Sequence, residues 1–263
     1  MELRQINGHW LHVAVTGPAD GRPVVLANSL GTDFRVWDRL MARFPAAWRV
    51  LRFDKRGHGL SELPSTPWTM EDLVGDAEAL MEEAGMTGAL FVGLSIGGLI
   101  AQGLAHRRPD LVRAMVLMDT AARIGNAGMW EERIATIEAG GIAALSDAVM
   151  ERWFAHAFRT GRPGELAGWR AMLERTPAAG YIGCSRAIMG ADYTATTAQL
   201  RLPVLAMAGD EDGSTPPALV AETAALIDGS RFELIENAGH LPCVEAPDVV
   251  ARLIVEFEEE TRG

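Results

Sequence analysis

Short apolar runs alternate with longer stretches in which apolar residues recur every three or four positions, and this rhythm organises most of the chain. Runs at 9–16 (HWLHVAVT), 23–27 (PVVLA), 49–53 (RVLRF), 89–93 (ALFVG), 114–118 (AMVLM), 203–208 (PVLAMA) and 231–235 (RFELI) predict strands. The segments between them predict helices, among them 70–84, where Leu73, Ala77, Leu80 and Met81 share one face, and 247–260 near the end. Strands and helices in alternation imply an α/β protein with a mostly parallel sheet covered on both faces.

The rhythm breaks between about 121 and 191, where helical stretches carry Met129, Trp130, Trp153, Phe154, Phe158 and Trp169 and no strand-like run occurs. An insertion after one strand of a doubly wound sheet accounts for this. The chain then divides into a body formed by 1–120 and 191–263 and a helical lid at 121–190, set over the carboxyl ends of the strands.

Composition adds limits. With 48% hydrophobic and 22% charged residues in 263, the chain can bury a core and is neither disordered nor fibrous. Its net charge of −11, without any Lys/Arg run, argues against a nucleic-acid partner. The charge is unevenly spread: 121–190 holds eight Arg and seven acidic residues, a net +1, which leaves −12 on the body. Cys184 and Cys243 are too few for a disulfide framework and lack metal-ligand spacing, and MELRQINGHW has no hydrophobic signal core, so a cytoplasmic protein is expected. The run at 88–105 approaches the length of a membrane span, but glycines, Ser95 and Gln102 interrupt it, and no membrane association is expected.

That run contains the chain's strongest chemical signal, Gly93-Leu94-Ser95-Ile96-Gly97, at a predicted strand-to-helix junction. In a G-x-S-x-G turn the small residues let the chain reverse sharply and lift the serine hydroxyl above the sheet as a nucleophile. The serine needs a base. Of six histidines, His240 follows the last strand in NAGHLP, at the edge of the sheet where Ser95 also sits; His9, His12, His58, His106 and His156 lie elsewhere. An acid to orient the imidazole should lie at a strand end between serine and histidine. Asp212, in GDEDGSTPP, is the candidate; Asp210 reads as structural, Glu211 as solvent-facing, and Asp119 is an alternative after the 114–118 strand.

These segments, with DKRGHGLS at 54–61 and AGHLPCVEAP near the end, resemble the α/β-hydrolase superfamily over nearly the whole chain. The resemblance implies an α/β-hydrolase fold with an eight-stranded, mostly parallel sheet and an inserted helical lid. Within the superfamily, LANSLGTDFRVWD, RFDKRGHGLSE and GLSIGGLIAQGLA are similar to the 3-oxoadipate enol-lactonases, which open a lactone ring in the protocatechuate branch of aromatic catabolism. It further implies a Ser95–His240–Asp212 triad, oxyanion donors at the backbone N–H groups of Leu30 and Ile96, an anionic lactone as substrate, and neither cofactor nor metal. The insert's arginines would hold the substrate carboxylate, Arg133 first among them. Trp130 is either a pocket wall or an anchor between lid and body, and Asn28 either bonds the substrate or braces its loop. Asp54 and Arg56 read as a pair that locks their turn. A general carboxylesterase or perhydrolase, a C–C bond hydrolase, and a receptor-like binding protein with slow turnover are the competing readings.

Overall fold

Strands covered by helices on both faces must be apolar at consecutive positions, and β5 (Ala89–Leu94) and β7 (Val204–Gly209) are buried at every residue. The computed structural model describes residues 1–262. With β1 (Glu2–Ile6), β2 (His9–Thr16), β3 (Arg22–Ala27), β4 (Trp48–Phe53), β6 (Val112–Met118) and β8 (Arg231–Ile235), these strands form one eight-stranded sheet in the order β1-β2-β4-β3-β5-β6-β7-β8. From β4 to β8 every neighbouring pair is parallel, while β2 runs antiparallel to both β1 and β4.

Seven strands lie where the apolar runs put them, within two residues. β1 is the exception. It is mostly exposed, with no run to betray it, and it forms through a two-residue hairpin at Asn7-Gly8, both at positive φ (49° and 87°), with Ile6 paired to His9. An Asn-Gly pair is the strongest short-range hairpin signal, so the cue lay in the turn and not in the strand.

The helix Met70–Glu83 begins with a reciprocal cap between Thr69 and Asp72, buries Leu73, Ala77 and Leu80, and packs on the helix Ile96–Arg107, where Val74 meets Gly103. The latter is buried over ten of its twelve residues, sandwiched between the sheet and its neighbours, which is why its sequence looks like membrane. Among the described residues no helix is long and apolar enough to cross a bilayer. Among the described residues no strand lies between Met118 and Val204; the stretch holds helices Ala127–Gly140, Ser146–Trp153, His156–Gly161, Pro163–Glu174 and Ala178–Met189. Its aromatic residues pack on one another: Phe154 stacks on Phe158 at 4.5 Å and meets Trp169 at 6.2 Å.

β3 sits between β4 and β5, so the loops leaving the carboxyl ends of β3 and β5 are neighbours although more than sixty residues separate them in the chain. Crevices outside strand ends at such a change of order are where open α/β sheets bind ligands.

Candidate active site

Ser95 is the single residue between β5 and the helix Ile96–Arg107, and it carries the sharp reversal itself, at φ 57° and ψ −118°. A non-glycine residue held there stores about 1–3 kcal/mol. Its surroundings hold it: the Ser95 N–H donates to Met118 O at 2.9 Å, while its carbonyl accepts from Thr120 Oγ1 at 2.6 Å and from Gly98 N at 2.8 Å. The turn also demands bare backbone. A Cβ on Gly97 would lie 2.0 Å from the Ala27 carbonyl oxygen at the end of β3, and one on Gly93 would lie 2.3 Å from Gly97 O.

His240 and Asp212 arrive on the loops after β8 and β7. His240 Nδ1 lies 2.9 Å from Asp212 Oδ2, and both side chains are buried. Asp212 is well supplied with donors: Thr215 Oγ1 to Oδ2 at 2.7 Å, and the Ser214 and Thr215 amides to Oδ1. Burial alone would raise its carboxyl, but the charge and hydrogen bond of His240, with the Thr215 hydroxyl and Ser214 amide, hold it below the ordinary carboxylate value. Asp119, the alternative acid, makes no bond to His240. Its Oδ1 accepts from Gly209 N at 2.9 Å and its Oδ2 has no donor among the described residues; burial and the nearby Asp212 charge push its carboxyl well above the ordinary carboxylate value. Asp119, Asp212 and His240 place one potential metal ligand each within 4.8 Å of one another. With one Asp119 oxygen taken by the Gly209 amide and the other two side chains bonded to each other, the trio is better suited to orienting an imidazole than to holding a cation. Asp210 accepts from Ala238 N, and exposed Glu211 accepts from His156 N, tying the β7 loop to the insert.

Two amides remain free. Neither the Leu30 nor the Ile96 N–H finds a protein acceptor among the described residues. Leu30 lines the same cavity as Ser95 from the loop after β3, and Ile96 follows Ser95 as the first residue of the helix.

Ser95, His240, Ser29 and Leu30 open into a cavity of about 250 Å³, whose far walls are Trp130, Arg133, Arg152, Trp153 and Tyr181 from the insert. Trp130 is buried, donates its indole N–H to Ile124 O at 2.8 Å, and supports the Arg133 guanidinium 4.7 Å above its ring. It lines the cavity, and its indole bond to Ile124 stays within the insert. Arg133 and Arg152 form no ion pair among the described residues, whereas most arginines of this chain do. Burial and the neighbouring Arg133 lower the Arg152 pKa, a sign that two like charges share the space.

Three placements differ from the sequence reading or extend it. Asn28 does not line the cavity: it is buried and spends its Nδ2 on the carbonyl and hydroxyl of Thr32, inside its own loop. Asp54 and Arg56 do hold their turn, but not through each other. Arg56 pairs with Asp76, and Asp54 accepts from the Phe34 and Leu60 amides and meets His12 Nδ1 at 2.8 Å. Arg152 and Thr215 were not anticipated; Arg152 had no cue beyond lying in the insert, while Thr215 stood three residues after an acid in a turn-rich segment, where a hydroxyl commonly folds back.

The alpha/beta hydrolase fold family matches residues 22–247. The chain is 32% identical over 237 residues to 3-oxoadipate enol-lactonase 2 of Acinetobacter baylyi, covering 90% of this chain and 88% of the relative. Among solved structures it is similar to the enol-lactonase from Burkholderia xenovorans LB400, at 37% identity and a TM-score of 0.94, over 97% of this chain and 99% of the other. It is also similar to a thermophilic esterase from Thermogutta terrifontis solved with malate bound, at 25% identity and a TM-score of 0.93 over the full length of both.

Proposed function

The chain belongs to the α/β-hydrolase family, and on that premise we propose that it hydrolyses a small anionic enol-lactone, 3-oxoadipate enol-lactone, through an acyl-enzyme on Ser95. The observation that carries the substrate class is the pair of unpaired guanidiniums, Arg133 and Arg152, in the cavity that holds Ser95. In a protein of net charge −11, two uncompensated cations at one cavity select an anion. That the similar proteins include enol-lactonases and an esterase solved with malate, a small carboxylate, supports this substrate class.

In this reading Ser95 Oγ attacks the lactone carbonyl as His240 Nε2 takes its proton, and Asp212, with Thr215, holds the imidazole in the tautomer that leaves Nε2 free to accept. The negative charge that develops on the carbonyl oxygen falls to the Leu30 and Ile96 amides. A donor of this kind is worth about 10²–10³ in rate. Collapse breaks the acyl C–O bond of the ring, and the enol oxygen, still tethered to the acyl chain, receives the proton from His240. Water then gives its proton to the same imidazole, adds to the acyl carbon, and releases the dicarboxylate and Ser95. No step calls on a cofactor. The insert at 121–190 acts as a lid that supplies the carboxylate site, and Asn28 acts by bracing the oxyanion loop. The wider reading, a role in aromatic catabolism, follows from the substrate alone.

Steady-state kinetics with freshly generated enol-lactone beside p-nitrophenyl acetate test the reading. A kcat/KM much higher for the lactone, lost in Ser95→Ala, is expected; equal values would favour a general carboxylesterase, and a few slow turnovers a receptor-like protein.

A further inference from the structure

We propose that Lys55 works the oxyanion hole from behind: its ammonium polarises and fixes the Ser29–Leu30 peptide, making the Leu30 N–H a stronger donor to the tetrahedral intermediate. This rests on the acyl-transfer reading above.

Lys55 is the only lysine among 24 basic residues, every other cation being arginine. It is 2% exposed and donates to the Ser29 carbonyl oxygen at 2.7 Å, an oxygen that also accepts from Thr32 Oγ1 at 2.9 Å and Thr32 N at 3.3 Å. The carbonyl of Ser29 and the N–H of Leu30 are two ends of one amide. In a trans peptide they point in opposite directions, and among the described residues only Thr66–Pro67 is cis. Lys55 therefore pulls on the end of the amide opposite to the free N–H, and a cation bound at a carbonyl oxygen draws electron density from the nitrogen, which strengthens the donor. In bonded chains such polarisation amounts to about 10–30% per bond.

The next peptide is clamped as well. Gly31, at φ +77°, donates its N–H to His58 Nε2 at 3.0 Å, and burial together with the Lys55 charge keeps His58 neutral and able to accept. Among the described residues no carboxylate pairs with Lys55. Asp54 is engaged with His12, Phe34 and Leu60; Asp33 with Arg35; Arg56 with Asp76. On the facing helix, burial raises the Cys184 thiol to about 11, so it stays uncharged.

Burial also lowers the Lys55 ammonium to about 8, against small opposing effects of Cys184, Asp54 and Asp33. Turnover should accordingly fall as pH rises through about 8. Stability moves the other way. A lysine whose folded pKa is lowered penalises folding fully below that pKa, and the penalty fades between it and the unfolded value, so this group makes the fold firmer where activity declines.

Protein labelled with ¹³Cε-lysine has a single lysine signal, whose titration can be set beside kcat/KM for p-nitrophenyl acetate over pH 6–10, with thermal melting measured in parallel. We expect one midpoint for both curves, near 8, without a drop in melting temperature. Lys55→Met should lower kcat/KM by about 10- to 100-fold, less than loss of a whole donor. It should weaken an alkylboronic acid, whose tetrahedral adduct occupies the oxyanion hole, by the same factor, leave KM unchanged and abolish the alkaline limb. Should this variant not fold, the two wild-type curves decide, because a lysine that titrates without a matching change in rate overturns the proposal. So does a folded Lys55→Met protein with wild-type rate and boronate affinity. A wild type that hydrolyses neither ester nor lactone would instead defeat the acyl-transfer reading, and this inference with it.

Discussion

Ser29 Oγ lies 3.4 Å from His240 Nε2, while Ser95 Oγ forms no hydrogen bond among the described residues. The imidazole nitrogen that would take the nucleophile's proton is thus engaged with a neighbouring hydroxyl, and that contact must be given up before attack. A long, neutral hydrogen bond of this kind is worth about 0.5–1.5 kcal/mol. Ser29→Ala is therefore expected to raise kcat/KM for p-nitrophenyl acetate, by no more than about tenfold. A fall in stopped-flow acylation rates would mean that the hydroxyl serves the transition state instead.

The two free arginines should act on binding and not on the bond-breaking step. Replacing Arg133 or Arg152 by Gln should raise KM for the anionic lactone about 10- to 100-fold, the range of a hydrogen bond to a charged group, with kcat and the kinetics of neutral esters nearly unchanged. Equal losses on neutral and anionic substrates would remove the carboxylate site.

Glu245 ties the His240 loop to the insert: its oxygens accept from Gly239 N at 2.7 Å and Ala155 N at 2.9 Å. Burial raises its carboxyl to about 7 despite those two donors. With a folded pKa above the unfolded one, the folded state holds the extra proton, so this group's contribution to stability declines as pH rises from about 4.5 to 7. Glu245→Gln cannot accept from both amides and should destabilise by about 1–3 kcal/mol. Urea unfolding at pH 5 and pH 7.5 checks both points: wild type should lose stability across this interval relative to the variant.

Glycines in the chain are not equivalent. Gly97→Ala drives a methyl group into the Ala27 carbonyl and should cost about 1–3 kcal/mol or more, together with activity, because it parts β3 from the Ser95 turn. Gly168→Ala, on the helix Pro163–Glu174 with nothing within 4 Å of the added carbon, should stabilise by about 0.5–1 kcal/mol at full activity. Chemical denaturation of the two variants compares them directly.

What could be read without coordinates is what local chemistry dictates. Buried strands need apolar runs, so seven of eight were visible. The nucleophile turn needs small residues at fixed offsets, so Ser95 stood out, and the strand-end loops carrying Asp212 and His240 could be placed by their distance from those runs. β1 escaped because an exposed edge strand needs no run. The cross-chain partnerships were illegible for a different reason: Arg152 meets Arg133 across two helices of the insert, Glu245 grips amides of two loops, Arg56 reaches Asp76 rather than its neighbour Asp54, and Lys55 finds the Ser29 carbonyl 26 residues away. Such contacts leave no period or spacing in the chain. They depend on where sheet order and helix packing bring distant residues, and it is these contacts that set the charge of the cavity and the orientation of the amides around it.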